Sequence, residues 1–204
     1  MRHKGVFREN SNAGENVIMS SIAHFSLAQY DSMIERGVFG SRGRQRLEFI
    51  RGEVREMTPI GSRHEEVVDR LNVWSVENAR RTAIRVRIQN SIGVPELESA
   101  PEPDVAWVVE RDYSEARPTA ADVLLIIEVA DSSLAYDTGE KAGLYAAAGV
   151  ADYWVVDIAH RSIEVRRDPA AGRYRTLNTY AGIDEIHPLA APDVTLRPAL
   201  LWDS

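Results

Sequence analysis

The 204-residue chain contains no cysteine. That excludes disulfides, thiolate zinc sites and cysteine nucleophiles, so any metal must be held by oxygen or imidazole ligands. No run of about 18 apolar residues occurs, and the N-terminal segment mixes charged and polar groups without the apolar centre of a secretion signal. These absences point to a soluble cytoplasmic protein with no membrane partner. Positive charge is also scarce: 24 Lys and Arg stand against 31 Asp and Glu, a net charge of −7. Coating of nucleic acid by bulk electrostatics is therefore disfavoured. Phosphate would have to enter through a local basic groove, or with metal ions offsetting the carboxylates.

What is present suits one domain over residues 26–204, behind a flexible tail over residues 1–25 that shows no periodicity. Ser26 is a helix-start signal, and Leu27, Tyr30, Met33 and Ile34 recur at helical spacing up to Gly37, which suits a C-terminal cap. RLEFIRGEVREM, residues 46–57, reads as a β-hairpin turning at Arg51-Gly52. SRHE, residues 62–65, reads as a capping box opening the longest helix. IRVRIQ (84–89) alternates strictly, Val105 to Val109 follows a proline-stiffened approach, and LLIIEVA (124–130) is an apolar run of buried-strand character. A helix is expected over 138–148, a buried strand over 153–157, and short strands over 162–166 and 173–180. The order predicts an α/β class fold, a mixed sheet flanked by helices, with an N-terminal helix and hairpin.

Glu128 interrupts LLIIEVA, and a buried carboxylate costs several kcal/mol in effective desolvation unless something positive pairs with it. Asp104 opens the preceding strand and Lys141 lies in the following helix. If the two strands are neighbours, facing Cβ atoms stand roughly 5 Å apart, close enough for both carboxylates to hold one hard cation. Lys141 would then orient a water or stabilise charge building on a phosphate. Each residue also has a plainer reading. Asp104 suits a turn after Pro103, Glu128 an ordinary buried ion pair, and Lys141 with Tyr145 an i, i+4 pair on a helix surface.

PEPDVAWVV, LLIIEVADSS and YDTGEKAGLYAAAGVADYWVVD together resemble the Uma-type restriction endonuclease domain family of the PD-(D/E)XK nuclease superfamily, from about Ser26 to about Arg167. The resemblance implies a restriction-endonuclease-like fold and an Mg²⁺- or Mn²⁺-dependent endonuclease hydrolysing DNA phosphodiester bonds. It matches Asp104 to the Asp of the PD element and Glu128 to the acidic residue of (D/E)XK, as metal ligands. The usual lysine slot is Ala130, so the lysine is relocated to Lys141, with Tyr145 one turn on. Asp131, where relatives carry serine, is a further departure. Glu48, Glu53 and His64 resemble positions that family members keep, and Gln89 resembles the glutamine beside the metal strand in many nucleases of this superfamily. Plainer readings stand beside these: a solvent-facing Glu53, a structural His64 at a helix start, and a solvated face for Arg85 and Arg87. Trp74, Trp107 and Trp154 are expected in the core. Cutting both strands of a duplex favours a homodimer. The alternative function is a nuclease-fold protein without turnover, serving as a binding or regulatory module. A hydrolase of RNA or of smaller phosphoesters is a third.

Overall fold

A computed structural model describes residues 22–40, 46–57, 61–79 and 83–202. Most of the expected N-terminal tail, residues 1–21, lies outside them. Ser26 caps helix α1 (Leu27–Glu35): its hydroxyl accepts from the Gln29 amide, while the Gln29 side chain accepts from the Ser26 amide. Gly37, at φ +69°, closes the helix in a left-handed turn; its N–H donates to the Ile34 carbonyl and that of Val38 to Met33.

Strands β1 (Leu47–Ile50) and β2 (Glu53–Glu56) form the expected hairpin, with Glu48 opposite Arg55. Its two-residue turn has Arg51 at φ +50° and Gly52 at φ +83°, the left-handed pair that matches strand twist. A Cβ on Gly52 would stand 3.0 Å from the His24 Cβ, so space as well as conformation reserves that position. The hairpin packs on α1 through Tyr30 and Phe49, whose rings stack at 4.6 Å.

Helix α2 (Ser62–Ala79) corrects one expectation. The Glu65 amide donates to the Gly61 carbonyl, so Gly61 stands at the cap and Ser62 is already the first helical residue. Strands β3 (Ile84–Ile88), β4 (Val105–Val109), β5 (Val123–Ala130), β6 (Asp152–Asp157), β7 (Ser162–Ala170) and β8 (Arg173–Ala181) form one sheet in that order. All neighbours are antiparallel except β5 and β6. That parallel pair needs a crossover, supplied by α3 (Leu134–Tyr136), a π-turn (Asp137–Lys141) and α4 (Ala142–Ala147). The helical stretch thus begins earlier than 138 and contains a widened turn that periodicity does not show.

Strand alternation divides the core into two layers. Trp107, Leu125, Ile127, Val129 and Trp154 face α2 with its Val67, Leu71 and Trp74. Ala106, Val108, Ile126, Ala130 and Val155 face α4 with its Tyr145. The three tryptophans are core residues: the Trp74 ring lies 5.2 Å from Trp107 and 6.1 Å from Trp154. The C-terminal segment seals the α2 layer with Ile186, Leu196 and Leu201, and is tied to the sheet by buried Asp152, which accepts from Trp154, Arg167 and the Leu189 amide. Among the described residues no helix is long and apolar enough to cross a membrane. Leu71 has no exposed surface at the centre of the α2 layer. Leu71→Ala is expected to cost about 2–5 kcal/mol in urea unfolding with an unchanged m value.

Candidate active site at the paired ends of two strands

The β4–β5 register pairs Val105 with Ile127, so the next step places Asp104 opposite Glu128. Both belong to the strand face turned towards α4, because Ala106 and Ile126, two residues away in each strand, lie in that layer. Each carboxylate reaches the other strand's backbone. Asp104 Oδ2 accepts from the Val129 amide at 2.9 Å, and Glu128 Oε2 lies 3.4 Å from the Asp104 amide.

Lys141 comes down onto the same face from the π-turn. Its ammonium donates to Glu128 Oε1 at 3.0 Å, and the Tyr145 hydroxyl, one turn further on, donates to the same oxygen at 2.8 Å. Ala130, the apolar residue in the usual lysine slot, packs in one cluster with Ala142 and Tyr145, beneath the helix that carries the replacement. Glu128 and Lys141 are each 2% exposed.

Three of the expected supporting residues converge here. His64, buried in the first turn of α2, places Nε2 3.1 Å from Asp104 Oδ2. Gln89 donates from Nε2 to Asp104 Oδ1 at 3.2 Å, so it touches the carboxylate and not the lysine. Gln89 holds φ +50°, a strained conformation for a residue with a side chain, and its amide donates to the Asp104 carbonyl. Tyr145 is the third. Glu53 is not brought in: it is partly exposed and holds Arg55 through bonds of 2.8 and 3.2 Å. Arg85 and Arg87 lie elsewhere, around the Tyr113 ring, with Arg85 bonded to Glu110. Asp131 lines the pocket as an exposed residue.

The structure adds residues that the sequence left in the background. Glu48 is buried, with Oε2 3.3 Å from the Lys141 ammonium but without the alignment of a hydrogen bond. Its other oxygen accepts from Tyr136 at 2.8 Å. Tyr136 also receives Arg55, which is anchored by Glu140, and its ring lies 5.6 Å from the ammonium. Asp137, buried and bonded by Ser133, completes the set. The signal for Glu48 was the same misfit as for Glu128, a carboxylate inside an apolar run, LEFI. For Asp137 it was four-residue spacing, since 137, 141 and 145 recur on one helix face.

Glu48, Asp104, Glu128, Asp137 and Lys141 line a pocket of about 390 Å³, together with Arg46 and Arg55. Burial pushes Lys141 down, but Glu128, Glu48, Asp137 and Asp104 outweigh it and hold the ammonium above its ordinary value. Burial pushes Glu128 up to about 8 against the pull of Lys141, and Asp137 up to about 6. Asp104 goes the other way: burial raises it, yet the His64 contact and the Val129 amide bring it below the usual carboxylate range. Among the described residues no three His, Asp or Glu side chains form a ready metal cage, so any hard cation would have two carboxylates and water as its shell.

The sequence model of the Uma2 family, described as "Putative restriction endonuclease", matches residues 27–199. No curated protein matches the chain. The fold is shared with a crystal structure described as "a putative nuclease belonging to DUF820 from Anabaena variabilis ATCC 29413", at a TM-score of 0.66 and 14% identity, covering 87% of this chain and 97% of that one.

Removing the ammonium tests the electrostatics directly. In Lys141→Met the Glu128 value rises further above its unfolded value near 4.3, and stability held by such a group is present below that value and lost as pH rises. The variant is expected to be about 3–5 kcal/mol less stable than the natural chain at pH 9, with a clearly smaller deficit at pH 5, by urea unfolding at both.

Proposed function

The chain belongs to the Uma2 family, and on that premise we propose that it is a divalent-metal-dependent endonuclease hydrolysing DNA phosphodiester bonds. The observation that carries this reading is the meeting of Asp104 and Glu128 across the ends of β4 and β5, with the Lys141 ammonium 3.0 Å from Glu128.

The donors fit a hard cation. They are carboxylate oxygens, they share a pocket with too little positive charge, and Glu48 Oε2 is buried there without a hydrogen bond. Asp104 and Glu128 would hold Mg²⁺ or Mn²⁺. Bound there, the ion supplies Lewis-acid polarisation of the phosphoryl group and lowers the pKa of a water.

The chain's own residues do the rest. His64, Gln89 and the Val129 amide fix the Asp104 carboxylate from three elements, so its direction is set before substrate arrives. Tyr145 stays protonated, because burial and the Glu128 charge hold its phenol well above the ordinary value, and acts as a donor to Oε1. Lys141 keeps its proton across the neutral range, which makes it a fixed positive charge for the oxygens of the phosphoryl group and unsuited to be a base. A homodimer would present two such sites to the two strands of a duplex.

Purified protein with supercoiled plasmid and Mg²⁺ or Mn²⁺ is expected to give nicked and linear products. Asp104→Ala, Glu128→Gln and Lys141→Ala should each lower the rate by roughly 100-fold or more. Equal rates in all four proteins would end the proposal. A second expectation concerns the ion. Glu128 must be ionised to bind it, and with a value of about 8 it carries a proton at pH 7. Calorimetric titration with Mn²⁺ should therefore release about one proton at pH 7, with affinity rising about tenfold per pH unit until pH 8 and flattening above it. Affinity independent of pH between 6 and 8 would remove Glu128 from the ligand set.

A further inference from the structure

Arg46 immediately precedes β1, and its main chain is fixed where the Met57 amide donates to its carbonyl at 2.9 Å. Its side chain lines the pocket between the hairpin and Asp104. The side chain is 24% exposed, yet both terminal nitrogens, Nη1 and Nη2, are shielded from water and have no hydrogen-bond partner. Asp104 Oδ1 stands 4.0 Å from Nη2, beyond hydrogen-bond reach, and already accepts from Gln89. Glu102 feels the Arg46 charge but makes no hydrogen bond to it. Arg55, which lines the same pocket, is different: Glu53, Glu140 and Tyr136 engage it fully.

The two terminal nitrogens have lost hydration and gained only a long 4.0 Å attraction to Asp104 and no hydrogen bond, which is unfavourable in the free protein. Its planar fork matches two oxygens of one anion, and a phosphodiester offers two non-bridging oxygens at that spacing. We propose that Arg46 binds the non-bridging oxygens of the phosphate undergoing hydrolysis, donating from Nη1 and Nη2. The phosphate then lies between the Arg46 guanidinium and the Lys141 ammonium, beside the carboxylate pair. The assignment rests on the nuclease reading and names the residue that holds its substrate.

The test is duplex DNA cleavage in Mn²⁺ across a series of NaCl concentrations, comparing the natural chain with Arg46→Ala and Arg46→Lys. A contact to one phosphate contributes about 0.9 to the slope of log affinity against log salt. Arg46→Ala is expected to lower kcat/KM by about 10- to 100-fold and to make the salt slope shallower by about one. Arg46→Lys should keep the slope, because the charge remains, and lose part of the rate, because the fork is gone. Urea unfolding of Arg46→Ala should show a midpoint no lower than that of the natural chain, because no hydrogen bond is removed and the 4.0 Å attraction to Asp104 is weak beside the desolvation of the two nitrogens. A natural chain that cleaves, beside an Arg46→Ala protein with the same rate and slope, overturns this assignment alone. A lowered unfolding midpoint with an unchanged slope also overturns it, by making Arg46 structural. A natural chain that never cleaves removes the nuclease reading and this inference together.

Discussion

One buried ammonium serves more carboxylates than it can neutralise. Lys141 donates to Glu128, lies 3.3 Å from Glu48 and feels Asp137 and Asp104. If all four acids were ionised, the pocket would carry a large negative excess in a region with little water. The chain resolves this by raising Glu128 and Asp137 and by giving Asp104 its own donors. That division favours the charged form of Asp104 and leaves Glu128 poised to ionise when positive charge arrives. A buried ion pair of this kind adds little stability over an apolar replacement, so its place in the core points to function more than to folding.

The sheet topology makes the arrangement possible. β5 runs parallel to β6, and the crossover it requires starts within a few residues of Glu128 and sweeps back over the same sheet face. A lysine in the first turns of that crossover returns to the strand end it has just left. The π-turn sits where Asp137 and Lys141 must both face inward, and such widened turns are frequent at functional sites. On the opposite face, the tryptophan layer under α2 contains none of the pocket's acids and gives the strand ends an apolar base. His64 links the two sides: it belongs to α2 but contacts Asp104.

Much of this was legible in the sequence, for identifiable reasons. Alternation in IRVRIQ and the apolar run around Glu128 show strand type and face, and the carboxylate in the run points to the pocket now seen around it. Ser26, Gly37 and Arg51-Gly52 worked as punctuation because cap and turn chemistry is local. Ser62 failed as a cap because Gly61 can also stand there, and a one-residue offset leaves the helix itself unchanged. Glu53 and Glu48 are five residues apart across one hairpin, and only the register decides which of them is buried. Gln89 was expected to stand beside the metal strand; its side chain meets Asp104 from a left-handed backbone, and a single sequence carries no signal for that conformation. Arg46 was invisible for a related reason: what sets it apart is the absence of a partner.

The net charge of −7 gains meaning from the same pocket. A phosphate approaching this acid-lined pocket without a cation meets the Asp104 charge, with Lys141 already committed to Glu128. On the proposed function, the divalent ion must therefore enter before the nucleic acid or with it, since only then does the sign of the field at the strand ends reverse. Arg46 cannot reverse it alone, because Arg55 is already engaged by Glu53 and Glu140 and one guanidinium stands against more than one acid. Discrimination follows from that order. On that reading, a chain of net charge −7 captures phosphate chiefly where metal, guanidinium and ammonium coincide, and bulk attraction elsewhere along a duplex stays weak.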